Sequence, residues 1–223
     1  MTQDLMDYGF LFAGLLILLG YEGLMRRRTA AGATARSVHS QLRDEWVVAI
    51  GVQPGSEIVA VQTVRNSLMS ATINASTAAL AFMGTISLAL PRLSGPADAM
   101  AAPTARELMA LLLTAALFAS CMCSVMAMRY ANHLGYVISA PVSSSMRGRW
   151  ATVAAAYLRR SGSYYGSGWR LFLMGGPFAL GVSRPWLMPV ATLILVTVLR
   201  FFDRPVGLVD GAVVPDPDRP HQP

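Results

Sequence analysis

Hydrophobic residues fall in four long stretches, at about residues 8–25, 59–90, 107–128 and 170–202, separated by polar segments that contain Arg. A helix needs roughly 20 apolar residues to cross a hydrocarbon core of about 30 Å. We therefore expect an all-α fold, a polytopic transmembrane helical bundle formed by residues 1–204 as a single domain. Residues 205–223 are rich in Pro and Asp and are expected to form a disordered tail.

The fourth stretch is too long and too interrupted to be one straight crossing. At about 1.5 Å per residue it would measure roughly 50 Å, and Pro177, Pro185 and Pro189 each remove a helical hydrogen bond. Either an interfacial half-helix precedes a true span, or the stretch is a tight helical hairpin with Arg184 at the turn. We expect four spans, the last broken by Pro, with five as the alternative.

Two of the polar segments also carry a helical apolar pattern. The apolar positions are Val38, Leu42, Trp46 and Ala49 in the first segment, and Trp150, Val153, Tyr157 and Leu158 in the second. Both segments predict amphipathic helices on the cytoplasmic membrane surface, and packing on the bundle's own cytoplasmic end is the alternative. Residues 162–168, with three Gly among Ser and Tyr, predict a flexible connector with interfacial aromatic anchors.

The distribution of charge predicts an orientation. All 18 basic residues are Arg, against 12 acidic residues, and they concentrate after the first and third apolar stretches. Cytoplasmic loops carry such an excess, so we expect an inner (plasma) membrane protein with its N-terminus outside and no nucleic-acid partner. Asp4 and Asp7 precede the first stretch and Arg26 follows it, which is opposite to a signal peptide and predicts a retained anchor.

Three segments resemble one known family. They are residues 61–77 (VQTVRNSLMSATINAST), 129–136 (RYANHLGY) and 162–170 (GSYYGSGWR), and together they are similar to the domain-of-unknown-function 599 family of small membrane proteins. The resemblance covers roughly residues 5–204. One departure lies near residues 181–185, where the family usually has an aromatic residue and Phe-Gly-Pro. The resemblance implies a multi-span membrane protein and provides no catalytic residues.

The second apolar stretch carries a polar stripe. Its members, which fall within about 80° of one another on a helix, are Asn66, Ser70, Asn74 and Thr77. In lipid, such residues form hydrogen bonds across helix contacts, and this packing role is the first interpretation. The alternative is a polar lining for the path of a solute or ion.

Charged residues near the membrane ends are the other candidates. Glu22 and Arg65 both fall near the predicted cytoplasmic face, and we expect them to form an ion pair between the first two spans. Arg129 and His133 lie one helical turn apart at the end of the third span, where a solvated or hydrogen-bonded His is expected. Cys121 and Cys123 point to opposite sides of a helix, and the sequence predicts no metal or other cofactor.

These observations predict a protein that is not an enzyme, since no catalytic motif is recognised. We expect a structural or accessory membrane component that packs with itself or with partners and contacts anionic lipid headgroups. The alternative is a transporter or channel subunit for a small solute or ion. A transporter should have a water-accessible cavity lined by Asn66, Ser70 and Asn74, whereas an accessory protein should bury that face against another helix.

Overall fold

The computed structural model describes residues 2–31, 34–93 and 103–203. Within these residues there are helices and no strands, which confirms the all-helical class. The helices are α1 (Thr2–Ala30), α2 (Ala35–Val52), α3 (Glu57–Leu93), α4 (Ala105–Ile138), α5 (Ser145–Ser183) and α6 (Leu187–Phe202). The tail expected to be disordered lies outside the described residues.

Three of the helices are long and apolar enough to cross a membrane. They correspond to the first three apolar stretches and run over Gln3–Ala30, Glu57–Leu88 and Ala105–Ile138. Large apolar side chains point outward from them: Phe12 is 69% exposed, Leu80 75% and Leu111 64%. A water-soluble protein rarely exposes so much apolar surface. The arrangement is therefore compatible with a membrane protein.

The fourth apolar stretch forms a helical hairpin. Helix α5 ends at Ser183, and the exposed Arg184 caps it by donating its backbone N–H to Leu180 O. Pro185 lies in the connection, and Pro189 is the third residue of α6, where a backbone N–H has no intrahelical acceptor to lose. The hairpin alternative therefore describes this stretch better than a single helix broken by Pro.

Helix α4 packs antiparallel against α3 and α5, and its contact with α5 is built from small residues. Seven of the buried positions of α4 follow alternating spacings of three and four: Leu117, Ser120, Ser124, Ala127, Ala131, Leu134 and Ile138. Buried positions of α5 recur every seven residues: Arg147, Ala154, Ser161, Gly168 and Gly175. Heptad spacing keeps one face of a helix against its neighbour over many turns. We call this contact the α4–α5 seam.

Hydrogen bonds to backbone carbonyls hold the seam together. Ser120 Oγ donates to Gly168 O at 2.7 Å, and Ser161 Oγ donates to Ala127 O at 2.9 Å. A Cβ atom on Gly168 would lie 2.8 Å from Ser124 Oγ, so only glycine fits there without a shift. The expectation of a flexible connector at residues 162–168 is therefore wrong. The glycines belong to a helix, and Gly168 lies at a close contact with Ser124 and Ser120 of α4.

Helices α1 and α6 lie side by side and run in the same direction. Leu11 of α1 packs against Met188 at the start of α6, and Tyr21 and Met25 pack against Leu199 near its end. The end of α6 consequently lies at the same end of the bundle as the end of α1. The backbone N–H of Ala35, the first residue of α2, donates to the carbonyl of Asp203 at that end.

Helix α2 packs across the first half of α5 at this end of the bundle. It begins with a capping box between Thr34 and Ser37, and buries Val47 and Ile50. Asp44 forms an ion pair of 3.4 Å with Arg159 of α5. Packing on the bundle's own end, the alternative left open for this segment, therefore describes the inward face of α2.

A buried arginine joins the ends of α2 and α4. The Arg147 guanidinium, in a side chain that is only 4% exposed, donates to the carbonyls of Ile138 at 2.7 Å, Ala140 at 2.8 Å and Ile50 at 2.7 Å. The last carbonyls of a helix have no intrahelical donor and carry partial negative charge. Arg147 therefore supplies hydrogen-bond donors and a positive charge to the carbonyl ends of α2 and α4 at the same time.

The seam can be tested by adding one methyl group. Gly168→Ala should lower the melting temperature of the detergent-purified protein, because overpacking at a close contact costs about 1–3 kcal/mol. Gly166→Ala is the matched control, since a Cβ there meets nothing within 4 Å. The control should be neutral or slightly stabilising, as alanine is the better helix former. Equal melting temperatures for the two variants would contradict the close packing of the seam.

Candidate functional site

A cavity of about 350 Å³ lies between α2, α3, α4 and α5. Its polar lining is Arg43, Asn66, Ser67, Ser70, Ser161 and Tyr165. Its apolar lining is Ala71, Ala127, Ala131 and Leu158, together with Gly162. The cavity opens to the surface, because the three polar residues from α3 are exposed. This volume falls in the range of sites that bind small molecules.

Arg43 supplies the positive charge of the cavity. Its guanidinium lies against Gly162, where a Cβ atom would be 2.6 Å from Arg43 Nε. The same Nε is buried and has no hydrogen-bond partner among the described residues. Burial lowers the pKa of Arg43, an effect that Asp44 opposes, but an arginine remains protonated in proteins. The cavity therefore contains a cation with unused hydrogen-bonding capacity.

A layer of buried polar residues lies beside the cavity, toward the hairpin end of the bundle. Asn74 Nδ2 donates to Ser124 Oγ at 2.7 Å, and Ser124 Oγ donates to Ser120 O at 3.0 Å. Asn74 is 1% exposed and both serines are fully buried. This layer closes the interior of the bundle directly past the cavity.

The predicted polar stripe of α3 is divided between two environments. Asn66 and Ser70 line the open cavity, whereas Asn74 is buried in the contact with α4. Thr77 is exposed and donates its hydroxyl to Ile73 O in its own helix. The buried face of α3 lies to one side of the stripe and follows Ala60, Val64, Ala71, Ala75 and Ala78. The polar stripe of α3 is therefore only partly buried: Asn74 belongs to the face that packs against α4, and the other three residues lie outside that face.

The predicted ion pair between Glu22 and Arg65 is wrong. Glu22 Oε1 accepts a hydrogen bond from Arg170 Nη1 at 3.1 Å, and Arg65 is exposed on α3. The prediction failed because α1 does not pack closely against α3 in the part of the chain that the structure describes. This helix packs chiefly against α6, the partner of α5 in the hairpin, so a side chain of α5 reaches Glu22.

Arg170 is the centre of a partly buried charge cluster. Its guanidinium binds both Glu22 and the carboxylate of Asp203, and Tyr21 Oη donates to Asp203 Oδ2 at 2.6 Å. The three charged side chains are only 12–18% exposed. The cluster ties α1, α5 and the end of α6 together.

Arg129 and His133 are both exposed at the end of α4, and they border an aromatic cluster. The ring centroid of His133 lies 5.9 Å from that of Tyr157. Tyr130 stacks on Tyr164 at 5.7 Å. Within the described residues, no group of three or more His, Cys, Asp or Glu side chains could hold a metal ion. The arrangement fits a packing and interfacial role for His133.

Several residues of these sites were not identified from the sequence. The charge pattern treats Arg43 and Arg170 only as two of the arginines that follow the first and third apolar stretches, and it does not distinguish Ser161, Tyr165 or Asp203. A signal was present on α5, because Ser161, Gly168 and Gly175 follow heptad spacing. That spacing marks a close helix contact, and Arg170 comes two residues after Gly168, away from the contact face.

The chain was compared with protein families, curated proteins and solved structures. The family model described as "Protein of unknown function, DUF599" matches residues 10–206. The chain belongs to the DUF599 family. No curated protein and no solved structure matches it. Membership of DUF599 confirms the resemblance drawn from residues 61–77, 129–136 and 162–170. The apolar helices of this DUF599 protein are compatible with a membrane protein.

The charge cluster can be tested by removing its shared cation. Arg170→Met should lower the melting temperature strongly, because it leaves two carboxylates unpaired in a partly dry site. Such losses reach about 3–5 kcal/mol when burial is complete. The matched control is Arg159→Met, which removes a half-exposed partner of Asp44 and should cost about 0–1 kcal/mol. A loss no larger than the control's would contradict the cluster.

Proposed function

We propose that this DUF599 protein is an integral inner-membrane protein with five crossings that acts as a structural or accessory component rather than as an enzyme. The single observation that carries the topology is the parallel packing of α1 and α6. If α1 runs from outside to inside, α3, α4 and α5 alternate in direction, and α6 again ends inside.

The ends of the bundle differ in charge, which supports the orientation. Toward the end where α1 and α6 finish lie many arginines: Arg26, Arg27, Arg28, Arg36, Arg43, Arg65, Arg129, Arg147, Arg149, Arg159, Arg160 and Arg200. Toward the opposite end lie Arg92, Arg106 and Arg184. The positive-inside rule assigns the arginine-rich end to the cytoplasm. In this proposal α2 and the first half of α5 are cytoplasmic helices.

The arginine-rich end supports a role at the anionic inner leaflet. Each Lys or Arg near such a surface contributes about 1 kcal/mol of attraction. Trp169, which is 39% exposed on α5, suits the same interface, where Trp is enriched. The exposed apolar faces of α1 and α3 leave room for lipid or for another copy of the chain.

A second candidate function, a transporter or channel subunit for a small solute or ion, has one observation in its favour. Asn66 and Ser70 line an open cavity, as expected for a polar path. The buried layer of Asn74, Ser120 and Ser124 blocks continuation of that path through the bundle. Because a closed layer beside an open cavity favours binding over passage, we place the accessory function first.

The topology predicts the activity of fused reporters. A periplasm-active reporter should be active after Leu93 and inactive after Ser40 and Asp203. Activity after Asp203 together with inactivity after Ser40 would support four crossings. The opposite pattern at Ser40 and Leu93 would overturn the orientation.

The accessory function predicts what surrounds the protein. Extraction from the membrane in polymer-bounded lipid particles should give anionic phospholipid enriched over the bulk membrane, with the chain in an assembly with itself or other membrane proteins. A different single-pass membrane protein without cytoplasmic Arg, extracted in parallel, is the control. Bulk lipid composition around a monomer would count against the proposal.

A further inference from the structure

We propose that the cavity beside Arg43 binds a phosphate-bearing group, the headgroup of an anionic phospholipid or a soluble phosphate ester. The inference deepens the proposed function and rests on it, because the position of the cavity relative to the lipid headgroups depends on the proposed membrane orientation. It differs from a diffuse attraction between arginines and the inner leaflet. It assigns one site, with one cation and a defined set of donors.

The lining has the chemistry of an anion site. Arg43 provides a guanidinium, Asn66 an amide N–H group and Tyr165 a hydroxyl group. The hydroxyls of Ser67 and Ser70 donate to Thr63 O and Asn66 O of their own helix. No carboxylate lines the cavity among the described residues. A guanidinium matches the geometry of phosphate oxygens and forms bonds to them that are stronger than those between neutral groups.

Arg43 is held in place without a partner of its own. Gly162 makes space for the guanidinium, and its buried Nε has no acceptor among the described residues. The nearest carboxylate in sequence, Asp44, forms its ion pair with Arg159 of α5 and acts on Arg43 through its charge, without a hydrogen bond. The buried Nε is packed against Gly162 and lies out of reach of a ligand. A ligand would instead bind the Nη atoms of the guanidinium, which form no hydrogen bond to the described residues.

The depth of the cavity matches a lipid headgroup. From Ser183 at the hairpin to Gly162 is 21 residues of α5, or about 32 Å along the helix. From Ala105 to Ala127 is 22 residues of α4, or about 33 Å. Both lengths agree with the thickness of the hydrocarbon core, roughly 30 Å. With the hairpin at the outer surface, the cavity lies among the inner headgroups.

The open side of the cavity gives such a headgroup access. The exposed residues Asn66, Ser67 and Ser70 lie on α3, and Met69 and Ile73 on the same stretch are 57% and 64% exposed. An acyl chain can therefore follow the apolar surface of α3 while its phosphate enters the polar cavity.

The test is native mass spectrometry of the detergent-purified full chain incubated with phosphatidylglycerol. The wild type should retain one discrete lipid adduct. Arg43→Gln should weaken the adduct about tenfold, the effect of losing one hydrogen bond between charged groups. Arg149→Gln removes an exposed charge from the same end of the bundle and should change the affinity for phosphatidylglycerol by less than about twofold. Ser70→Phe fills the cavity while keeping Arg43, and should also remove the adduct.

A second measurement separates the two sources of phosphate. Inorganic phosphate is added to the protein in phosphatidylcholine nanodiscs and the melting temperature is recorded. Stabilisation of the wild type but not of Arg43→Gln, without a lipid adduct, identifies a soluble phosphate ester as the ligand class. If Arg43→Gln does not fold, Ser70→Phe decides the result.

Two outcomes would overturn the site. Equal weakening by Arg43→Gln and Arg149→Gln would mean diffuse attraction, which leaves the proposed accessory function standing. The absence of both a lipid adduct and phosphate stabilisation would reject the site. Bulk lipid composition around the extracted protein, by contrast, would count against the accessory function itself.

Discussion

The close contact between α4 and α5 is the constraint on which the rest of the structure depends. Along the seam, glycine, serine and alanine allow the two backbones to approach, and serine hydroxyls bond to carbonyls of the facing helix. In a bilayer, helices gain little from the hydrophobic effect when they associate, so packing and hydrogen bonds must supply the attraction. The seam fixes the register of α5, and this register places Arg147 at one end of the bundle and the hairpin at the other.

The cavity follows from the same choice of residues. Small side chains suit a contact between two helices, but they leave space where α2 and α3 join the pair. Ala71, Ala127 and Ala131 do not fill that space, and Gly162 allows Arg43 to enter it from α2. The small residues that allow α4 and α5 to pack closely therefore also leave the polar cavity beside this pair of helices. Residues suited to tight packing are also the ones that surround the candidate site.

The fold could be predicted from the sequence wherever a local pattern determines the structure. Apolar length predicted α1, α3 and α4, and the spacing of Val38, Leu42 and Trp46 predicted the helix at α2. Which helices pack against each other is not determined by a local pattern, and the predictions that depended on it were wrong. Glu22 was matched to Arg65 by depth alone, because nothing in the apolar pattern says that α1 packs on α6. The glycines near 162–168 predicted a connector, because glycine weakens an isolated helix but permits close contact in a packed one.

The parallel contact of α1 and α6 has a consequence for biosynthesis. Chains are made from the N-terminus, so α1 is synthesised well before α6, its main partner. Throughout that interval the face of α1 that carries Leu11 and Tyr21 has no α6 to cover it. Formation of α1 and its packing in the bundle are therefore separate stages, and this contact closes only after α6 has been made. A chain truncated before α6 would keep α1 without the helix that covers Leu11 and Tyr21.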